Sequence, residues 1–268
     1  MSRAFAGLFV LSCLAATPAF ADGGREIRKT VPLDAHGSVS IHTFKGSVEV
    51  EPWDEARADV VARIEPDTSC GMDSEAQERV RLTDVDIDST ASRLQLRSNY
   101  DRLQDLPSIH YHLDDFDATC SAFPFVRYRL RIPRTARLEI EDHKSKITVT
   151  GLSSQARIRT HKGSVDVVGH RGALDLSTHK GDVRVEFVRL GAASRLETYR
   201  GDIEVSVPRS AGFDLDARVE RSGTLDAPFT LVEHGEGRRG RVYEQKVNGG
   251  GPLLELSTRN GSLRISEK

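Results

Sequence analysis

The sequence is poor in aromatic residues, which make up 6% of its 268 positions, and it holds one Trp, two Met and three Cys. A deep core of large rings is therefore excluded. Side-chain bulk must come from Val, Ile and Leu, which suit thin, regular β layers. An excess of charge of one sign is missing too. The 38 Lys and Arg are balanced by 40 Asp and Glu, a formal net charge of −2, so no global basic field points to nucleic acid. No apolar run is long enough to cross a bilayer comfortably; the best, AFAGLFVLSCLAA, ends at Ala16.

That run follows Arg3 and precedes Ala19-Phe20-Ala21, a small-x-small cleavage site before Asp22. It reads as a secretory signal peptide over 1–21, which leaves a mature chain 22–268 with 37 basic and 40 acidic residues. The expected address is the periplasm or the cell surface, with no transmembrane segment in the mature chain. VLSC, ending at Cys13, is a poor lipoprotein box because of Leu11, so lipid anchoring there is not expected. The mature chain keeps Cys70 and Cys120. In an oxidising compartment two cysteines most simply form one disulfide, and the C-x-x-C spacing of a reactive pair is absent. Closing a loop of that size would remove about 4 kcal/mol of unfolded-state entropy in the loop-entropy model.

What the sequence does have is a repeat. LEIEDHKSKITV, ARIRTHKGSVDV, LDLSTHKGDVRV and SRLETYRGDIEV align on Ser145, Gly163, Gly181 and Gly201, at steps of 18, 18 and 20 residues. VSIHTFKGSVEV is an earlier copy on Gly46; ARVERSGTLD (Gly223) and LELSTRNGSLRI (Gly261) are later ones. Each unit alternates polar and apolar residues, turns, and alternates again, which is strand, tight turn, strand. Glycine at the turn fits a backbone needing positive φ, and Ser145 in that position is expected to cost a little.

Hairpins and parallel coils both satisfy this pattern, and the columns favour coils. Equivalent residues of stacked coils lie about 4.8 Å apart. Ile140, Ile158, Leu176 and Leu196 then form one continuous apolar column, and Ile147, Val165, Val183 and Ile203 another. The outward columns alternate in charge: Glu139, Arg157, Asp175, Arg195, and Asp166, Arg184, Glu204. Opposite charges across adjacent strands are favourable and like charges are not, so these columns set register and face water. The expected fold is an all-β parallel solenoid of about 18–20-residue coils, a monomer, each repeat stacked on the one before, with the N-terminal strands and the C-terminal LRISEK capping the ends.

The stretches GSVEVEPWDEARADVVARI and YRLRIPRTARLEIEDHKSKITVTGL, with the THKG repeats that follow, resemble the bacterial exported putative-adhesin family, related to the head-type autotransporter adhesin domains. The resemblance covers most of the mature chain outside roughly 66–124. It implies a right-handed parallel β-helix or β-roll. It implies no known enzyme activity and no catalytic residue. Small residues such as Ser usually precede the turn glycine in that family; His-Lys stands there in this chain.

The segment 66–124 breaks the pattern. SEAQERV from Ser74 reads as a short helix with a Ser74/Gln77 capping box, and LTDVDIDS and RLQLRSN read as strands. The remainder is long for a loop. It carries His110, His112 and Asp114, with Asp115 and Asp117 beyond them. His-x-His on a strand puts both rings on one face, where a nearby carboxylate could complete a divalent-metal site. A solvated acidic loop held by Cys120 is the plainer reading.

At the turns, His143, His161 and His179 fall in step and are continued by Tyr199 and, upstream, by Phe44; Lys144, Lys162, Lys180 and Arg200 run beside them. Stacked rings with water-screened lysines account for this structurally. The sharper reading is anion binding, to an acidic glycan, a lipopolysaccharide phosphate or another anionic envelope surface, because this column never alternates in sign. Stacked imidazoles point their nitrogens in parallel, which suits a metal poorly. A polysaccharide-active β-helix enzyme is the alternative, but no carboxylate pair stands at glycosidase spacing and no G-x-S-x-G occurs. No catalytic residue and no cofactor is assigned; the expected role is a rigid, non-enzymatic interaction module of the envelope. Peptide mapping of unreduced exported protein should find Cys70 joined to Cys120; two free thiols would remove that pairing.

Overall fold

The computed structural model describes residues 23–69, 73–105, 123–220, 223–237 and 240–268. The cysteines and His110, His112 and Asp114 lie outside them. The N-terminal part contains β1 (Arg25–Pro32), β2 (Ser38–Trp53), β3 (Arg57–Glu65), α1 (Asp73–Leu82), β4 (Asp84–Ser89), β5 (Arg93–Asn99), a single 3-10 turn at Asp101–Asp105, and β6 (Phe125–Pro133). The repeats follow as β7 (Arg137–Thr150), β8 (Ala156–Lys162), β9 (Val165–His170), β10 (Leu174–Lys180), β11 (Val183–Phe187), β12 (Ser194–Arg200) and β13 (Ile203–Val207). The C-terminal part holds β14 (Phe213–Val219), β15 (Leu225–Asp226), β16 (Glu233–Gly237), β17 (Gly240–Val247), β18 (Leu253–Asn260) and β19 (Leu263–Glu267). The fold is all-β.

The repeats pair in parallel, like on like. β7, β8, β10 and β12 form one hydrogen-bonded ladder, with Ile140 beside Ile158, Ile158 beside Leu176 and Leu176 beside Leu196. The second half of β7, then β9, β11 and β13, form the other, with Ile147, Val165, Val183 and Ile203 in one row. These residues are buried, and the two ladders share one core. Alternation dictates this: every second side chain points inward, so each added coil extends the same apolar columns.

Sequential stacking, however, fails at both ends. β2 pairs with β7 directly, Gly46 beside Ser145, and on its other side with β5 and β6, which together complete a coil interrupted in sequence. At the far end, β18 lies between β12 and β14, and β19 between β13 and β15. The last unit of the chain therefore fills a slot inside the stack, and LRISEK is no cap. Charge explains the order. With β19 in the slot, the outward row reads Asp166, Arg184, Glu204, Arg264, Asp226, with ion pairs of 3.4, 3.0, 3.6 and 3.7 Å. Direct succession would have set Glu204 beside Asp226. Such exposed pairs contribute at most about 1 kcal/mol each, so they select register more than they add stability.

The ends are closed by antiparallel strands: β4 on β5, β3 on β6, β1 on β3, and, opposite, β17 on β14 and β16 on β17. The β1 and β4 edges are tied together where Arg25 donates to Asp84 at 2.8 Å and to the Thr83 carbonyl at 2.5 Å. The outward Asp84, Asp86 and Asp88 make β4 a poor template for a foreign strand. The predicted helix is α1, which buries Ala76 and Val80.

The turn glycines are required for two reasons. Gly163 has φ +148°, and a Cβ there would sit 1.9 Å from the Ser145 carbonyl of the preceding coil. Ser145 escapes the expected backbone strain: Asn248 is the one described non-glycine with positive φ, and Asp142 Oδ2 accepts the Ser145 N–H at 2.8 Å. Gly163→Ala should lower stability to urea by at least about 2 kcal/mol through backbone strain and the clash. A midpoint within error of wild type would mean that the coils can separate at no cost.

Candidate binding surface at the turns

Outward alternation on the first ladder continues to the turn, so His143, His161, His179 and Tyr199 project on the same face as the charged columns. Successive rings stack with centroids 4.9, 4.8 and 4.7 Å apart and planes within 11° of parallel. Phe44 extends the column beyond His143 at 4.7 Å. Each contact adds about 0.5–1.5 kcal/mol beyond area burial, by analogy with aromatic pairs. The column is closed at both ends. Phe123 lies 4.7 Å from Phe44. The Arg259 guanidinium sits over Tyr199 at 5.0 Å. Face-to-face stacking uses up the ring faces and leaves ring edges to solvent, so the column offers hydrogen-bonding nitrogens and a hydroxyl rather than a flat platform.

The cations fall beside the rings in strict register: Lys144 next to Lys162, Lys162 next to Lys180, and Lys180 next to Arg200. None of the four makes an ion pair among the described residues. Lys45, one step upstream in the same row, is spent internally. It is 5% exposed, paired with the equally buried Asp67, and its ammonium lies 4.3 Å from the Phe125 ring centre. Burial alone would raise the Asp67 carboxyl, but hydrogen bonds from Lys45 and Ser69 outweigh it and hold the group below the usual range. The exposed row thus starts at Lys144. The nearest acids past the turn, Asp182 and Asp202, accept backbone N–H groups of the next coil at 3.0 and 2.7 Å.

Next to the rings runs a shallow groove of about 510 Å³, whose opposite wall is Glu141, Arg159, Ser177 and Glu197. Beneath it, Thr160, Thr178, Thr198 and Thr258 are buried in a column that continues upstream through Asp142 to Thr43. Asp142 Oδ2 accepts from the Thr160 hydroxyl at 2.6 Å. Burial pushes its carboxyl above the usual range against these hydrogen bonds. The sequence pattern placed Asp142 in line with the threonines, but only burial reveals it as a carboxylate under a polar column.

Desolvation, with His161, Lys162 and Lys144 nearby, lowers the His143 imidazole to about 4. His161 is lowered too, by burial first and then by His179 and Lys162. At neutral pH these two rings are uncharged, and the positive charge of the surface belongs to the Lys and Arg row.

Among the described residues no group of three His, Cys, Asp or Glu side chains converges as a metal site, and no described helix is long and apolar enough to cross a membrane. The family model described as Toastrack DUF4097 matches residues 15–266. The chain belongs to the Toastrack DUF4097 family. This is a domain of unknown function, so membership brings no catalytic assignment to the Toastrack chain. Solved structures similar to it include the following two. One, from Clostridium sporogenes, is named a putative cell adhesion protein; it is 12% identical, covers 91% of this chain and 100% of its own, and has a TM-score of 0.44. The other, a putative adhesin from Bacteroides fragilis, is 12% identical, covers 90% of this chain and 96% of its own, and has a TM-score of 0.44. No curated protein matches the Toastrack chain.

A lowered imidazole favours the fold fully above its unfolded value of 6.5, and that contribution is lost as pH falls from 6.5 toward about 4. Asp142 acts oppositely: its raised carboxyl favours the fold most below 3.8, and that contribution is lost as pH rises through the folded value. His143→Phe keeps a ring between Phe44 and His161 and removes the titrating group. The variant should lose less stability than wild type between pH 7 and 4.5, read from urea midpoints. Parallel losses would take His143 out of the acid response.

Proposed function

We propose that this protein is a non-enzymatic interaction module of the cell envelope, and that the row Lys144, Lys162, Lys180 and Arg200 binds an acidic envelope glycan. The observation that carries this reading is the contrast between neighbouring rows. The outward rows through Arg157 and Arg184 alternate in charge and form ion pairs, whereas this one repeats a single sign and makes no ion pair among the described residues, Arg200 alone lying over the Tyr199 ring at 5.7 Å. Four like charges at the strand-to-strand step repel one another, and a polyanion laid along them would relieve that repulsion. The neutral edge of His161 and the Tyr199 hydroxyl would supply hydrogen bonds beside the charges.

The same reading takes the parallel stack as a right-handed solenoid of about 18–20 residues per coil, a stiff support for an extended site. It takes the stretch ending at Ala21 as an export signal, so the module acts in the periplasm or at the cell surface.

Lys162→Glu combined with Lys180→Glu reverses the middle of the row without touching the core. Wild type should be retained on an immobilised polyuronate at low salt and released as salt rises. The double variant should pass through unretained while keeping the wild-type circular dichroism spectrum and melting temperature. Equal retention of the two proteins would return the row to a purely structural role.

A further inference from the structure

A second feature lies along the outward face of β2, away from the cation row. Here the structure pairs a strand with small outward residues between two strands with long ones. Ser38 stands between Arg93 and Arg137, and Ser40 between Gln95 and Glu139. Short side chains flanked by long ones make a trough, and the trough has a volume of about 530 Å³, the size of a small polar molecule. Its chemistry is unlike that of the rest of the face. Arg137 makes no ion pair among the described residues. Arg93 has one loose partner, Asp88 at 3.5 Å. The carboxylate in the trough, Glu139, faces Arg157 at 3.8 Å, and Arg157 also holds Asp175 at 3.2 Å. Positive charge is therefore in excess at the Arg93–Arg137 end.

The floor gives a second, independent indication. The Ser40 hydroxyl oxygen is buried and has no hydrogen-bond partner among the described residues. A buried hydroxyl left unsatisfied is costly, and such groups call for a partner. The trough also offers the amides of Gln95 and Gln155, which can donate and accept. Guanidinium groups with hydroxyl and amide groups beside them suit a ligand with one oxyanion and a hydroxylated body. Planar donors on Arg bind phosphate, sulfate or carboxylate in paired hydrogen bonds, which lysines do not match.

We propose that this trough is a binding site for a sugar-sized polyol carrying one oxyanion, held by Arg93 and Arg137 at its charged end and by Ser40 at its floor. The site is assembled from β2, β5 and β7, whose contributing residues lie far apart in sequence and come together only through the parallel registers. It is separate from the cation row: none of Lys144, Lys162, Lys180 or Arg200 lines it.

The test is calorimetric titration of the whole mature chain with glucose 6-phosphate, glucuronate, inorganic phosphate and glucose. The two charged sugars should bind saturably, with glucose at least tenfold weaker, and the tighter charged sugar identifies the preferred oxyanion. Arg137→Ala should weaken the charged sugars about tenfold or more, as loss of a charged hydrogen bond does. Arg93→Ala should act in the same direction, while Ser40→Ala should weaken the charged sugars but not inorganic phosphate. Lys162→Glu with Lys180→Glu should leave these affinities unchanged, which separates this site from the glycan row. Failure of both charged sugars to saturate would overturn the proposal. So would affinities that neither arginine variant alters, or affinities abolished by the lysine variant.

Discussion

The molecule depends on one spacing, the hydrogen-bonded step of about 4.8 Å between neighbouring parallel strands. Because equivalent residues are held at that distance, a choice made once in the repeat is made again in every coil. Apolar choices become columns of Ile, Leu and Val that fill the core without large rings. Charged choices must alternate or repel. Flat side chains become a stack, as from Phe44 to Tyr199. The same spacing leaves no room for a β-carbon at Gly163.

How much of this was legible follows from the same constraint. The columns from Ile140 to Leu196 and from Ile147 to Ile203 could be read off because equal spacing in sequence becomes adjacency in space. So could the ring stack and the row from Lys144 to Arg200. Adjacency between unequally spaced segments could not be read. The copy on Gly46 and the ring of Phe44 pointed to β2 beside β7, but nothing local to β2 announces that β5 lies on its other side, so the trough over Ser38 and Ser40 was invisible. The burial of Lys45 against Asp67 was hidden for the same reason. The position of β19 is an intermediate case. The signs of Glu204, Arg264 and Asp226 favour this order, whereas the order of the repeats along the chain points to sequential stacking.

The two outward chemistries of the stack can be weighed against each other. Rows such as Asp166 to Asp226 satisfy their charges internally, so a visiting ligand would have to break existing pairs to gain new ones. The row from Lys144 to Arg200 and the Arg93–Arg137 end of the trough have little to break. Unsatisfied charge at the surface costs little, because water solvates it, yet it is available in full to a partner that displaces that water. A rigid frame adds to this by holding the groups in place before the partner arrives.

The slot filled by β18 and β19 has a consequence for how the domain is completed. During synthesis the coil of β12 and β13 and the coil of β14 and β15 both exist before the residues that join them. Until β18 and β19 take their places, the chain has two hydrophobic cross-sections facing a gap. The C-terminal coil is thus a keystone: its loss would not shorten the stack from one end but would divide it into two pieces connected by a single covalent thread.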